Sequence, residues 1–315
     1  MCAAMRLRLL PLVLLPVLIA CSDDPQSPLV SRSRRVFGTL PVAMQNDSAA
    51  LIRLGEQLYH SNDLSVNRTQ SCNSCHPVGG GGADRLATSR GARGDLGRRN
   101  TPTVFNTALH SVQFWDGRAT TLEEQAAGPI LNPVEMGMPH EAAVVERLRR
   151  FDFASAFPNE RNPHTLANAA RAIAAFERTL ITSDRFDDFQ NGDESALTAH
   201  EKEGLALFMK YGCTSCHNGP LLGGNRLMKL GIVHAYENTS DRGVAEVTGR
   251  DHDEYVFKIP ALRNVAATAP YFHDGRIPTL RHAVERMAWH QLGMKIHPRE
   301  RDAIVAFLGA LTDRP

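Results

Sequence analysis

The chain has 315 residues, of which 22% are charged, and its formal net charge at pH 7 is +1. This length suggests about two domains, and the near-neutral charge gives no indication of a nucleic-acid-binding surface. The six cysteines leave none for a structural disulfide, because two lie within the first 21 residues and four lie in two C-x-x-C motifs.

Residues 1–20 have the pattern of a bacterial secretion signal. Two arginines precede an apolar run, Leu9 to Ala20, which is too short to cross a bilayer as a mature helix. The run ends at Cys21 in a sequence that resembles the lipobox of lipoproteins, so we expect cleavage before Cys21 and lipid attachment to it. The alternative is an ordinary signal peptide that is cut nearby. Ser22 favours anchoring to the outer membrane of a Gram-negative bacterium, facing the periplasm.

Residues 21–47 are predicted to be a flexible tether between this anchor and the folded protein. The segment is polar and contains Pro25, Pro28 and Pro41, a composition that disfavours a packed core. We therefore predict that the folded part consists of two domains, at 48–183 and 184–315.

Each predicted domain contains one C-x-x-C-H motif, the signature of covalent c-type haem attachment. The two cysteines form thioethers with the porphyrin, and the adjacent histidine is an axial ligand of the iron. A four-cysteine zinc site or a pair of disulfides is the alternative, although zinc ribbons usually place their cysteine pairs closer together and need no histidine after both. The predicted haem-binding residues are Cys72, Cys75, His76, Cys213, Cys216 and His217. The sequence therefore predicts a redox protein with two covalently bound haems.

Other segments also occur twice. An apolar stretch with helical spacing precedes each haem motif, and Phe114–Arg118 matches Phe272–Arg276, 158 residues further on (272 − 114). Each copy of this Phe-x-Asp-Gly-Arg motif is followed by Thr-Leu at the same offset. The repetition indicates a tandem duplication of one haem domain.

Helical patterns dominate the rest of the chain. Helices are predicted over Ala142–Arg150, Leu166–Leu180 and Glu300–Leu311, and Thr198 with Glu201 forms a capping box ahead of the second haem motif. Strand-like alternation is scarce. The predicted fold class is mostly α, with two tandem cytochrome c-like domains, each built around one covalently bound haem because each is too small to form a full core alone.

The two halves differ at the positions where their chemistry should differ. The first half has Trp115 where the second has His273, and the second has Met287 as a haem-ligand candidate that the first lacks. One six-coordinate haem and one haem with an open site would suit an enzyme that stores an electron at one iron and reacts at the other.

The ordered set of motifs resembles the bacterial dihaem cytochrome c peroxidases, which are related to the MauG-type dihaem enzymes. The resemblance runs from about Leu51 to Leu311. It rests on the two haem motifs, both Phe-x-Asp-Gly-Arg motifs and the segments Arg99–Thr103, Glu124–Ala126, Leu222–Asn225, Ile259–Val265 and Ala269–Gly275. It implies reduction of hydrogen peroxide to water, with electrons from a small periplasmic c-type cytochrome or cupredoxin.

In the N-terminal half, the resemblance implies a peroxidatic haem with His76 as proximal ligand. Glu135 would act there as acid and base, taking the proton from the near oxygen of peroxide and giving it to the far one, while Gln125 orients the peroxide. From the sequence alone, a solvated loop carboxylate is the better interpretation of Glu135, and only the resemblance favours a catalytic role.

In the C-terminal half, the resemblance implies an electron-accepting haem with His217 and Met287 as axial ligands. Met294 and His290 are rival ligands to Met287. Trp115 would lie between the haems as an electron route, or serve only as a core residue of the domain interface.

Two further sites follow from the resemblance. His273 would orient a haem propionate or the interface rather than bind iron. Asn100, together with the main-chain oxygens of Thr268 and Pro270, matches the family's calcium site between the domains, and such oxygen ligands suit Ca²⁺. Homodimers are usual in this family, but the sequence gives no independent signal for one.

One position departs from the family pattern. Many members hold a histidine sixteen residues after the first haem-motif histidine, and it caps the peroxidatic iron in the resting diferric state. This chain has Ala92 there, and the nearest other histidine, His110, lies outside that loop. We therefore expect an open N-terminal haem that needs no reductive activation.

Two other functions remain as alternatives. A MauG-like enzyme would oxidise a protein or organic substrate, but that branch carries tyrosine at the position of Met287. A dihaem electron carrier would explain both haem motifs and would leave Glu135 and Gln125 without a role. A carrier needs two six-coordinate haems, whereas a peroxidase needs one open site, so spectroscopy of the spin states separates them.

Overall fold

A computed structural model describes residues 27–41 and 46–313. The predicted secretion signal, Cys21 and Ser22 lie outside the described residues. Within those residues the α-helices are α1 Pro28–Phe37, α2 Ala49–His60, α3 Cys72–Cys75, α4 Leu122–Leu131, α5 Glu141–Leu148, α6 Phe153–Ala156, α7 Leu166–Glu177, α8 Arg185–Gln190, α9 Ala199–Lys210, α10 Ala245–Thr248, α11 Leu280–Leu292 and α12 Pro298–Gly309. Two short strands, β1 Leu227–Lys229 and β2 Val256–Lys258, pair antiparallel with Leu227 opposite Lys258. The predicted mostly α fold is confirmed.

The first hydrophobic core lies in the N-terminal half, where α2 packs against α7 and α4 packs beside them. The two helices α2 and α7 approach closely at Gly55, where a Cβ atom would lie 1.9 Å from the carbonyl oxygen of Ala172. Only glycine fits this crossing. It brings Tyr59, which is fully buried, onto Phe176 at a ring-centroid distance of 5.1 Å.

The second core repeats this arrangement in the C-terminal half. Helix α9 packs against α12, and a Cβ atom at Gly204 would lie 1.9 Å from the carbonyl oxygen of Ala303. Phe307 is fully buried at this crossing and contacts Phe208 and Phe186, with centroid distances of 5.6 and 5.4 Å. Each haem motif follows the glycine-containing helix of its own core, Cys72 after α2 and Cys213 after α9.

The backbone supports the duplication that the motifs predict. Asn106 and Asn264, 158 residues apart (264 − 106), both have φ of 62°, in the left-handed region. Phe114 and Phe272 have φ of 62° and 70°. Thr121 caps α4 and Thr279 caps α11 in the same way: the side-chain oxygen of each accepts a hydrogen bond from the backbone N–H three residues further on. The two segments therefore follow the same chain path.

The prediction of a flexible tether over 21–47 is wrong for Pro28–Phe37, which form α1. Ser27 caps this helix and Pro28 occupies its first turn, where proline is favoured because its missing N–H would have no helical partner anyway. Val30 and Phe37, seven residues apart and therefore on one face, are 0% and 1% exposed and pack into the second core. Phe37 meets Phe186 edge-to-face at 5.6 Å.

The other predicted helices are found with small shifts at their ends. The predicted Leu166–Leu180 ends at Glu177, and the predicted Glu300–Leu311 corresponds to Pro298–Gly309. The capping box of Thr198 and Glu201 is confirmed at the start of α9. Among the described residues, no helix has the length and apolar character needed to span a bilayer. The boundaries predicted at 47 and 183 stay predictions.

Candidate active site

The first C-x-x-C-H motif occupies one helical turn. Cys72–Cys75 form α3, capped by Ser71, and His76 ends it. The His76 ring nitrogen Nδ1 lies 3.0 Å from the carbonyl oxygen of Pro102, and the Tyr59 hydroxyl donates to the His76 carbonyl at 2.6 Å. The imidazole is thus fixed by its Nδ1 edge, which leaves Nε2 as the ligating atom.

The second motif has the same design. Cys213–Ser215 form a 3₁₀ turn, and His217 Nδ1 lies 2.9 Å from the carbonyl oxygen of Leu222. Burial lowers the pKa of both His76 and His217, which favours the neutral imidazole that ligates iron.

The four motif cysteines are free thiols, and the described residues contain no cluster of three or more His, Cys, Asp or Glu that suits a metal ion. A four-cysteine zinc site and a disulfide pair therefore find no support in this structure. Two free cysteines on one turn, followed by a histidine whose Nδ1 is already engaged, fit covalent haem at both motifs.

A cavity of about 550 Å³ opens beside α4. Its lining residues are Phe114, Arg118, Ala119, Thr120, Glu124, Gly128, Pro129, Asn132 and Glu135. The Glu135 carboxylate also lies near enough to Cys75 to raise the pKa of that thiol, an effect that is smaller than burial. The cavity therefore adjoins the first haem motif.

The chain folds back at the end of α4 and so places Glu135 in the cavity wall. The Glu135 N–H donates to the carbonyl of Asn132 at 3.0 Å, and the Asn132 side-chain amide donates to Glu135 Oε1 at 3.0 Å. Burial raises the pKa of Glu135, and Arg118 and the Asn132 amide partly offset this rise. A half-buried carboxylate with a raised pKa is better suited to accept a proton and release it again than an exposed one.

Arg118 lines the cavity and is not among the site residues that the sequence predicts. Its guanidinium carbon lies 3.5 Å from the centroid of the Phe114 ring, and its Nη1 is 2.9 Å from both carboxylate oxygens of Asp116. Phe114, Asp116 and Arg118 all belong to the first Phe-x-Asp-Gly-Arg motif. The repetition of this motif, with Arg276 at its end, is the feature of the sequence that could have indicated a fixed position for Arg118.

Gln125 and Ala92 differ in their relation to the Glu135 cavity. Gln125 is half-buried on α4 but does not line the cavity described above. The Ala92 N–H donates to the Glu135 carbonyl at 2.7 Å, and the Asn67 side-chain amide donates to the Ala92 carbonyl at 2.6 Å. A Cβ atom at Gly91 would lie 1.8 Å from the carbonyl oxygen of Val134, so this loop rests directly on the Glu135 segment.

Trp115 lies where the two halves meet. Its indole Nε1 donates to the Asn100 carbonyl at 2.9 Å, and its ring meets His273 edge-to-face with a centroid distance of 6.5 Å. His273 is 2% exposed, stacks on Phe257 at 4.3 Å, and has a buried Nε2 without a hydrogen-bond partner. The structure thus brings together three residues that the sequence predicts at the interface.

A family model described as di-haem cytochrome c peroxidase matches residues 49–195. A cytochrome c551 peroxidase from Nitrosomonas europaea is 43% identical over 280 residues, which cover 87% of this chain and 83% of that protein. A cytochrome c551 peroxidase from Pseudomonas aeruginosa is 44% identical and covers 83% of this chain and 78% of that protein. The chain belongs to the di-haem cytochrome c peroxidase family.

This di-haem peroxidase also resembles MauG proteins. A solved structure of a MauG-like protein associated with microbial copper homeostasis superposes with a TM-score of 0.78 at 29% identity, covering 87% of this chain and 92% of that one. The methylamine utilization protein MauG of Methylorubrum extorquens is 33% identical over 84% of this chain and 78% of that protein. Identity to the two cytochrome c551 peroxidases is higher, so the enzyme is a cytochrome-c peroxidase, and its family implies haem c at both motifs.

In this peroxidase, Met287 lies on α11 and packs against a small cluster that contains Tyr271 and Phe272. Its rival His290 is 1% exposed and is held through Nδ1 by the His234 carbonyl at 2.7 Å. Asn100 lies against the second half, because its N–H donates to the His273 carbonyl at 2.7 Å. The predicted calcium ligands Thr268 and Pro270 precede His273 in the same segment, and the calcium site stays a prediction.

Proposed function

We propose that this enzyme reduces hydrogen peroxide to water at the N-terminal haem, with electrons that a small periplasmic c-type cytochrome or cupredoxin delivers to the C-terminal haem. The observation that carries the proposal is the half-buried Glu135 carboxylate, which faces a cavity beside the first haem motif with its pKa raised. An electron carrier has no use for such a group.

The reaction consumes one peroxide, two electrons and two protons and yields two waters. The two haems supply the iron site and the electrons. Glu135 takes the proton from the near oxygen of peroxide and gives it to the far oxygen, so that the O–O bond breaks with water as the leaving group. Arg118 stabilises the carboxylate form of Glu135. That Gln125 orients the peroxide stays a prediction from the resemblance, because Gln125 does not line this cavity.

Electrons would cross the interface through Trp115, whose ring is fixed by its bond to the Asn100 carbonyl and by contact with His273. Met287 would complete the coordination of the C-terminal haem and raise its reduction potential, as thioether ligands do in cytochromes c. We also propose a calcium ion at Asn100, Thr268 and Pro270 and a lipid anchor at Cys21. The lipid anchor concerns a residue outside the described part of the chain.

We propose that the N-terminal haem is open in the resting enzyme because Ala92 cannot bind iron. Two bonds hold the Ala92 loop against neighbouring segments, one to the Glu135 carbonyl and one from Asn67. Low-temperature EPR of the diferric protein is expected to show one high-spin and one low-spin haem, and peroxide turnover is expected without pre-reduction. Two low-spin signals with a lag that half-reduction relieves would contradict this.

The substitution Ala92→His tests the same proposal by restoring the missing ligand. It is expected to convert the high-spin signal to low-spin and to introduce a lag before turnover. Ala92→Ser, which adds no good iron ligand, serves as the matched control and should leave both the EPR spectrum and the immediate turnover unchanged. A lag in the serine variant would show that the loop position, not the ligand, controls activation.

A further inference from the structure

A buried pair of basic side chains joins the two halves of the molecule. Lys258 Nζ, from strand β2, lies 3.0 Å from Nδ1 of His110, which belongs to the N-terminal half. Lys258 is 6% exposed, and His110 Nε2 is shielded from solvent without a hydrogen-bond partner. Neither residue has a role in the peroxide chemistry proposed above.

At 3.0 Å, only one proton can lie between Lys258 Nζ and His110 Nδ1, so one nitrogen donates it and the other accepts it. Because an ammonium has no lone pair, Lys258 donates and His110 Nδ1 accepts, which makes His110 neutral with its proton on Nε2. This leaves a buried N–H donor without an acceptor. Such donors are rare, since each costs the full desolvation of the group.

Within the described residues, Lys258 has no carboxylate partner of its own. Asp116 acts on the pKa of Lys258, but it already binds Arg99 at 2.5 Å and Arg118 at 2.9 Å. Arg99 is further paired with Asp241 at 2.6 Å, and Arg118 also acts on Glu135. Burial lowers the pKa of Lys258 to about 8, as expected for an ammonium without a full counter-charge.

The pair lies next to the segment that fixes the second haem-motif histidine. A Cβ atom at Gly224 would lie 2.6 Å from Cδ2 of His110, and the Ser111 N–H donates to the Gly224 carbonyl at 2.9 Å. Gly224 is two residues from Leu222, whose carbonyl holds His217. On the other side, the Lys258 N–H donates to the Trp115 carbonyl at 2.7 Å.

We infer that Lys258, oriented by His110, binds a propionate carboxylate of the C-terminal haem and thereby sets the reduction potential of that haem. A carboxylate would supply the counter-charge that the buried Lys258 lacks. A cation next to a haem favours the reduced form, because reduction removes one positive charge from the iron. The inference requires haem at the second motif but is independent of the peroxide step.

Spectroelectrochemical titration of the two-haem protein tests this inference. Lys258→Met is expected to lower the potential of the C-terminal haem, leave that of the N-terminal haem unchanged and shift the propionate-bending band in resonance Raman spectra. Lys258→Arg should retain most of the wild-type potential. Lys229→Met is the matched control, because Lys229 lies on the paired strand β1 and is exposed.

Haem content by pyridine haemochromogen assay shows whether each variant carries two haems. If Lys258→Met does not, Lys258→Gln, which is neutral but can still bind His110, replaces it. Unchanged potentials of both haems in a fully loaded neutral variant would overturn the inference, as would a shift confined to the N-terminal haem. A loss of peroxide turnover with unchanged potentials would count against it without affecting the assignment of Glu135.

Discussion

Glu135 shares its cavity with a second carboxylate, and the two differ in their surroundings. Glu135 is half-buried and its pKa is raised by burial, whereas the exposed Glu124 accepts bonds from the Thr120 N–H at 2.7 Å and hydroxyl at 2.9 Å, which lower its pKa. A group that must both accept and release a proton works best with a pKa near the working pH. Burial moves the pKa of Glu135 toward that range, whereas the bonds from Thr120 move the pKa of Glu124 away from it.

Glu135→Gln is therefore expected to lower peroxide turnover by about 10²–10⁴-fold, the usual contribution of a positioned acid or base. Haem content and the reduction potential of the C-terminal haem should stay unchanged, because glutamine has nearly the same shape and the substitution lies beside the other haem motif. Steady-state assay with a reduced donor provides the measurement. Glu124→Gln is the control on the same cavity and should retain nearly full activity; equal losses in both variants would show that cavity charge, not proton transfer by Glu135, matters.

Arg118 should control the pH range over which Glu135 works. The guanidinium favours the carboxylate, so it opposes the rise in pKa that burial causes. Glu135 must be deprotonated to accept the peroxide proton, and Arg118→Gln raises its pKa further. The low-pH limb of the kcat/KM profile should therefore move to higher pH, while Arg118→Lys should move it less. An unshifted limb would mean that Arg118 only holds Phe114 and Asp116.

At the scale of secondary-structure elements, the sequence predicted what local patterns encode. Apolar spacing and capping residues act within a single segment, so the predicted bounds of α5, α7 and α12 lie close to the observed ones. Helix α1 is not predicted, because Pro28 fits both a polar tether and the first turn of a helix. The Lys258–His110 contact joins residues 148 positions apart, which no local pattern reports.

The glycine at each helix crossing should be essential for its core. Gly204→Ala places a methyl group against the Ala303 carbonyl, so α9 and α12 must separate, and we expect a loss of about 1–3 kcal/mol in the free energy of unfolding. Gly309→Ala on α12 is the matched control: nothing lies within 4 Å of its Cβ position, and alanine favours helix by up to about 1 kcal/mol. Denaturant unfolding measures the free energy of unfolding of both variants and of the wild type. Equal stability would mean that the crossing relaxes freely.

At the scale of the whole molecule, both main-chain and side-chain bonds hold the two halves together. Main-chain bonds cross the interface from Lys258 to Trp115, from Asn100 to His273 and from Ser111 to Gly224, with N···O distances of 2.7, 2.7 and 2.9 Å. These bonds survive side-chain substitution, so the relative position of the two haem motifs is largely fixed by the backbone. Ion pairs between charged side chains stabilise the interface further, and, unlike the main-chain bonds, they can be removed by mutation.

Arg99 is the central charged residue of the interface. Its side chain is 15% exposed, and it binds Asp241 of the second half through two nitrogens, at 2.6 and 2.8 Å, while binding Asp116 of its own half. Removing one partner of a buried ion pair leaves a charge unpaired, and for Arg99→Met we expect a loss of about 3–5 kcal/mol. Because this loss falls on the interface, calorimetry should resolve two transitions, one for each core.

Arg98→Met removes an arginine at the adjacent position, where the side chain is 66% exposed and pairs with Glu246. An exposed pair contributes about 0–1 kcal/mol, so this variant should unfold in the same way as the wild type. A single transition at lowered temperature for Arg99→Met would show that the main-chain bonds alone keep the halves cooperative. In that case electron transfer through Trp115 would be insensitive to Arg99, because the backbone that positions the indole would be undisturbed.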